Sequence, residues 1–273
     1  MQARNVSAPL LRLAIMLLGD GWVENDRVGY SSKDITLLNY FSRLVKEISG
    51  EKPKIRMGDR AWRSVLYSTN LVKRLKELSP SFRTKKFPNG EFPPAKIPDV
   101  VFTLPKDEIA EILRLIFSME GGVALFARKV REGYYGVERK VFLSSANPIL
   151  TEQYIRLIRI VLGDIKIKYD KKARNLYIRN FTDIEKFAEK IGFIPGVKVS
   201  HSASRWCGFE KNEVLQLALR VSKQPKGFWK RFHSKEEINN YLKMVLMHAK
   251  PSQWAYARRG DPECPSSAGA VAL

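Results

Sequence analysis

The apolar positions of this chain fall into two similar series. The first opens Leu10-Leu11-Arg12-Leu13-Ala14-Ile15-Met16-Leu17-Leu18 and closes on Gly19-Asp20-Gly21. The second runs Ile112-Leu113-Arg114-Leu115-Ile116-Phe117-Ser118-Met119 and closes on Glu120-Gly121-Gly122. Each is entered through a proline, Pro9 or Pro105, and a proline in a first turn starts a helix as a glycine past the last periodic residue stops it. The pattern predicts two helices of about three turns, each ending at an acid.

The residues after each helix match as well. The alternation of residues 22–32, with a turn at 24–26, reads as a strand pair. So does the stretch after Glu120 that closes in Val141-Phe142-Leu143-Ser144-Ser145, with its turn at Glu132-Gly133. Helical spacing returns at Leu37, Leu38, Phe41, Leu44, Val45 and Ile48, predicting a helix over 34–48 and its counterpart over 148–162. A second hairpin spans 54–67 and again 166–177. Third helices cover 70–78 and 182–191. The order αββαββα therefore occurs twice, an α+β architecture of two pseudo-symmetric units. Residues 8–80 form the first unit and 106–200 the second. The stretch 81–105, rich in proline and lysine, reads as an extended linker. Two further helices are expected within 201–259, near 209–221 and 234–247. The tail 260–273 reads as flexible.

Composition narrows the partners. The chain has 273 residues, with 48 Lys plus Arg against 28 Asp plus Glu, a formal charge of +20. Its isoelectric point near 10.0 makes polyanions the expected ligands, nucleic acid before acidic membrane surface. Hydrophobic residues at 44% supply a real core and exclude wholesale disorder. Cys207 and Cys264 are too few for a disulfide framework or a zinc site. The apolar run 10–19 is interrupted by Arg12 and has no cleavage site, so it is not read as a signal peptide. No run approaches the ~20 apolar residues of a membrane span. An intracellular protein, cytoplasmic or organellar, is the expectation.

The repeated acid asks for chemistry. A carboxylate at a helix C-terminus faces the negative end of the macrodipole, at a cost of ~0.3–1 kcal/mol. Two such acids in a duplicated unit come together across the pseudo-twofold, where they repel unless a cation lies between them. Mg2+ prefers oxygen ligands and keeps waters for phosphate chemistry. The hairpins carry the complementary charge. Lys54 and Arg56 share one strand face, as do Lys166 and Lys168. Arg60, Arg63, Arg174 and Arg179 continue the pattern in the partner strands. Arg128, Lys129, Arg131, Arg139 and Lys140 load the hairpin after Glu120. A basic two-stranded ribbon fits the DNA major groove.

Acid-terminated helix, duplicated αββαββα unit and basic ribbons together resemble the LAGLIDADG homing endonucleases in their single-chain form. The motif stands as Leu13-Ala14-Ile15-Met16-Leu17-Leu18-Gly19-Asp20-Gly21 and Leu113-Arg114-Leu115-Ile116-Phe117-Ser118-Met119-Glu120-Gly121, and the resemblance covers residues 8–200. It implies a monomeric, intron-encoded enzyme that cuts both strands of a long double-stranded DNA site. It implies that Asp20 and Glu120 bind the divalent metal, Mg2+. Ser32 and Ser145 match the place where the family often adds a polar residue. Lys198 matches the basic residue that assists the chemistry in the second half. Lys85 or Lys86 matches it in the first. Where the family places small residues four apart, this chain has Ile15 with Gly19 and Leu115 with Met119, so a wider helix spacing is expected. Residue 1 is neither Cys nor Ser, which favours a free-standing intron product over an intact intein. The rival readings are a non-catalytic RNA- or DNA-binding protein on the same fold, such as an intron maturase on structured intron RNA, and a nucleic-acid scaffold without sequence preference.

Overall fold

The computed structural model describes residues 6–58, 61–130, 133–201, 204–225 and 227–248. Arg60, Arg131, Cys264 and the tail 260–273 lie outside them. The first unit runs α1 (Ala8–Leu18), β1 (Gly21–Val23), β2 (Arg27–Ser32), α2 (Ile35–Ser49), β3 (Lys54–Met57), β4 (Trp62–Tyr67) and α3 (Thr69–Lys76). The second runs α4 (Lys106–Glu120), β5 (Gly121–Lys129), β6 (Tyr135–Ser144), α5 (Pro148–Leu162), β7 (Ile167–Asp170), β8 (Asn175–Ile178) and α6 (Phe181–Lys190). Helices α7 (Lys211–Ser222) and α8 (Lys235–His248) follow. Each unit builds one four-stranded antiparallel sheet, in the order β1-β2-β4-β3 and β5-β6-β8-β7. The repeat read from the apolar pattern is thus a repeat of topology.

Helix α1 is apolar nearly all round, with Leu10, Leu11 and every residue from Leu13 to Leu18 buried. A helix of that kind belongs in a core. It packs on α2 within its own unit and on α4 of the other. The bulky motif positions join this interface: Ile15 and Leu115 are buried, and Met119 lies over Gly19. A Cβ on Gly19 would stand 3.2 Å from Met119 Cε.

The glycines after the two acids serve space rather than an unusual backbone angle. Gly121 has φ −114° and ψ 179°, open to any residue. A Cβ there would lie 2.7 Å from the Phe142 carbonyl oxygen and 2.9 Å from that of Phe117. A Cβ on Gly21 would lie 2.6 Å from Leu17 Cα and 3.1 Å from the Gly29 carbonyl oxygen. In both units the chain turns from the motif helix into the sheet so tightly that a side chain would strike backbone.

The second helices start at matching caps. Asp34 Oδ1 accepts the N–H groups of Thr36 and Leu37, and Asn147 Oδ1 those of Ile149 and Leu150. Such a cap is worth about 0.5–2 kcal/mol. The stretch after α3, read as an extended linker, is packed: Phe82, Ala95, Ile97 and Val101 are buried, and Asp99–Thr103 forms a 3-10 turn. Gln153 of α5 holds it through both Ile97 backbone groups, at 2.8 and 3.3 Å. Proline removes helix-forming donors without preventing burial.

The C-terminal segment covers the second unit. Trp206 Nε1 donates to the Leu125 carbonyl on edge strand β5 at 2.9 Å. The aromatics Phe228, Trp229, Phe232 and Tyr241 pack on one another, with the Arg231 guanidinium 3.8 Å from the Phe228 ring centre. The interleaved bases and aromatics of 227–232 therefore pack between α7 and α8.

Candidate functional site

Asp20 follows α1 and Glu120 ends α4, so the packing of the two helices brings the acids together. Position Gly19, one residue before Asp20, would put a Cβ 3.3 Å from Glu120 Oε1. Burial and the charge of Asp20 push the Glu120 carboxyl up to about 8, while Lys211 and Lys85 pull the other way. Burial also raises Asp20, again opposed by Lys211 and Lys85. The two carboxylates are thus both desolvated, and the charge of Asp20 is felt at Glu120.

A cavity of about 790 Å3 opens beside them, lined by Asp20, Ser32, Asp34, Lys85, Lys198 and Lys211 among others. Lys85 and Lys198, drawn from the segments that follow α3 and α6, thus reach one space. Lys86 turns away, with its ammonium 4.9 Å from the Phe92 ring centre. The guanidinium of Arg83 fixes the turn between them by donating to the carbonyls of Lys85 and Lys86, both at 3.2 Å. Ser32 accepts the Asp34 N–H at 3.0 Å, and Asp34 Oδ2 accepts the Lys198 N–H at 2.7 Å. Ser145 does not join the cavity. Its N–H donates to the Arg174 carbonyl and its hydroxyl to the Asn147 carbonyl, both groups of its own unit. The repeat matched Ser145 to Ser32 by sequence position, but of the two only Ser32 lines this cavity.

The residue that sequence reasoning missed is Lys211. It is 7% exposed, and its ammonium donates to the carbonyls of Ser118 and Gly121, both at 2.7 Å. These carbonyls belong to the end of α4, around Glu120. Burial lowers the amine to about 8, against the pull of Asp34, Glu120 and Asp20. The compensating cation that the repeated acids demand is therefore built in on one side. A signal existed: Lys211 opens α7, where the helix dipole favours acids over bases. Tyr30 was also missed. Its buried phenol is held well above its ordinary value by burial and by the charges of Asp20 and Glu120.

Two basic sheet faces extend from this centre. Strand register puts Trp22, Arg27, Lys54, Arg56, Arg63 and Tyr67 on one face of the first sheet. They line a cleft of about 870 Å3. On the second sheet Phe126, Arg128, Glu138, Lys140, Lys168 and Tyr177 share a face. Lys166 and Arg179 flank its strands. Two predicted bases are elsewhere. Arg139 pairs with buried Leu125, so the period of two puts it on the opposite face from Lys140, and burial lowers its guanidinium. Arg174 lies in the β7–β8 turn with φ 54°, outside the strands.

No protein-family model and no curated protein matches the sequence. Solved structures do match in fold. One is the LAGLIDADG meganuclease I-AabMI bound to uncleaved DNA, with TM-score 0.52 and 12% identity, over 86% of this chain and 98% of that one. Another is the meganuclease I-SmaMI bound to uncleaveable DNA, with TM-score 0.50 and 12% identity, over 88% of this chain and 97% of that one. A third is the I-SmaMI LAGLIDADG homing endonuclease bound to cleaved DNA, with TM-score 0.50 and 12% identity, over 90% and 97% of the two chains. The chain has the LAGLIDADG homing-endonuclease fold in its two-motif, single-chain form. Among the described residues, no helix is long and apolar enough to cross a membrane.

Proposed function

We propose that this protein is a site-specific DNA endonuclease that hydrolyses phosphodiesters in both strands of a long duplex site with a divalent metal. The observation that carries the reading is the pair Asp20 and Glu120, desolvated together at the ends of two packed helices, with Asp20 lining a cavity that Lys85, Lys198 and Lys211 also line. The basic sheet faces on either side supply a surface for the duplex, and the structurally similar meganucleases are DNA-bound. Monomeric action fits one chain that contains both units. Encoding within an intron rests on the family resemblance alone.

The donor set suits Mg2+. Asp20 and Glu120 would hold the ion, and no group of three or more His, Cys, Asp or Glu side chains among the described residues offers a closed cage. Mg2+ keeps several waters and binds through one or two carboxylates plus phosphate. Such an ion supplies positive charge to the scissile phosphate and to its attacking water. The chain's own groups do the rest. Lys85 and Lys198 bring two cations to the phosphates at the cavity mouth, and Asp34 orients Lys198 through its backbone. Lys211 neutralises the end of α4. The sheet faces, through Lys54, Arg56, Arg63, Arg128, Lys168 and Arg179, hold phosphates and read base edges.

A second reading has one observation behind it. Lys211 already balances charge beside Glu120, which suits a non-catalytic binding protein, such as an intron maturase on structured RNA. Selection from randomised duplex DNA with Ca2+, then addition of Mg2+ to the recovered pool, separates the two. One long site that is cut in both strands supports the endonuclease. A site that stays intact, or enrichment of structured RNA alone in a parallel selection, contradicts it.

A further inference from the structure

The basic face of the second sheet holds one acid among its cations. Glu138 stands on β6 between Phe126 and Lys140 on the same face. Its Oε2 accepts from Arg128 Nη1 at 2.9 Å. Its Oε1 lies 3.8 Å from Lys140 Nζ and 3.9 Å from Arg179 Nη2, beyond hydrogen-bond reach. The Glu138 side chain is 17% exposed, against 67% for Arg128 and 43% for Arg179. It lines a cleft of about 280 Å3 with Arg128, Gly136 and Arg179.

A carboxylate on a surface that meets a polyanion repels it. Three cations around Glu138 cancel the repulsion and fix its geometry. They leave Oε1 with open acceptor capacity, and Glu138 lines the cleft together with Arg128, whose guanidinium has donors to spare. An acceptor next to a fork of donors is complementary to the major-groove edge of a C·G pair. There the cytosine N4 amine donates, and the guanine O6 and N7 accept. An A·T pair lacks the two adjacent acceptors that a guanidinium fork spans, because adenine sets its N6 donor beside N7.

From this we propose that the Arg128–Glu138 pair is a specificity element that reads one C·G base pair, Glu138 accepting from cytosine N4 and Arg128 donating to the guanine. The inference rests on the DNA-binding reading above. Because Glu138 replaces repulsion with selective acceptance, its loss raises affinity for arbitrary duplex while relaxing one position of the site.

The test is binding selection from randomised duplex with Ca2+, run on the full chain and on Glu138→Gln, Glu138→Ala and Arg128→Gln. The wild type is expected to enrich a site with one invariant C·G pair toward the end served by the second unit. Each variant should lose preference for that same pair by about tenfold or more, with the other positions unchanged. Retained preference at every position in the Glu138 variants overturns the inference while leaving DNA binding intact. So does relaxation of different positions by the Glu138 and Arg128 variants. A wild type that enriches no duplex at all overturns the DNA-binding reading and the inference with it.

Discussion

Asp34 Oδ2 accepts the backbone N–H of Lys198 at 2.7 Å, joining residues 164 apart in sequence. The same carboxylate caps α2 through Oδ1. The other unit repeats the device with different chemistry: Asn147 caps α5 and its Nδ2 donates to the Pro93 carbonyl at 3.1 Å. Each cap thus ties the segment that leaves one unit onto the other. Asp34→Ala should remove both a helix cap and a buried acceptor, lowering stability by about 2–4 kcal/mol in denaturant unfolding. It should also slow Mg2+-dependent cutting more than it weakens DNA binding, since Lys198 loses its anchor.

Lys211 is buried, with two carbonyls as hydrogen-bond partners and carboxylates nearby. Lys211→Met should cost about 3–5 kcal/mol, because buried partners are left without a cation. Calorimetry should also find Ca2+ binding tightened in this variant, as the competing positive charge beside Glu120 is gone. Unchanged Ca2+ affinity would detach Lys211 from the metal site.

Glu120 and Lys211 give stability an unusual pH profile without metal. Folded Glu120 keeps its proton to about 8, whereas an ordinary glutamate releases it near 4.5. Between those values the folded chain binds more protons than the unfolded, so stability falls as pH rises. Lys211 acts in the opposite sense above that range: its folded amine loses its proton near 8 and an ordinary lysine near 10.5, so stability rises with pH there. Melting temperature, measured in chelator, should therefore dip near pH 8. Glu120→Gln should flatten the falling limb and start the rising one at lower pH, since the Glu120 charge no longer holds the Lys211 proton.

Gly121→Ala should destabilise by about 1–3 kcal/mol through overpacking, since two of the three close neighbours of the added Cβ are the backbone oxygens of Phe142 and Phe117, and the third is Phe117 Cδ1. A lower midpoint in thermal unfolding, followed by near-ultraviolet circular dichroism, would register it. A neutral Gly121→Ala would mean that the helix-to-sheet turn can relax.

The periodicities made much of this legible. Helix α5 spans Pro148–Leu162, as its apolar spacing and entry proline indicate, and α2 spans Ile35–Ser49, one residue from the reading over 34–48. Asp20 and Glu120 were legible because the same odd feature, an acid at a helix C-terminus, occurs twice. Lys85 was legible only as one of two adjacent lysines, and it took the Arg83 turn to separate them. Arg139 shows why strand faces resist sequence reading: a shift of one residue moves a cation to the other face of the sheet. Lys211 was missed because its partners are backbone carbonyls 93 and 90 residues earlier. No local pattern encodes such a contact. Ser145 lies apart from the cavity that Ser32 lines, a difference that matching positions in the repeat do not reveal.

A division of labour in which the acid pair performs the chemistry and the sheets perform the binding is open to one direct measurement. Ca2+-supported binding and Mg2+-dependent cutting are followed on the selected duplex for wild type, Asp20→Asn and Glu120→Gln. Both variants are expected to bind within a few-fold of wild type and to cut neither strand at a detectable rate. Cutting at the wild-type rate by either variant, or equal loss of binding and cutting in both, would contradict that division.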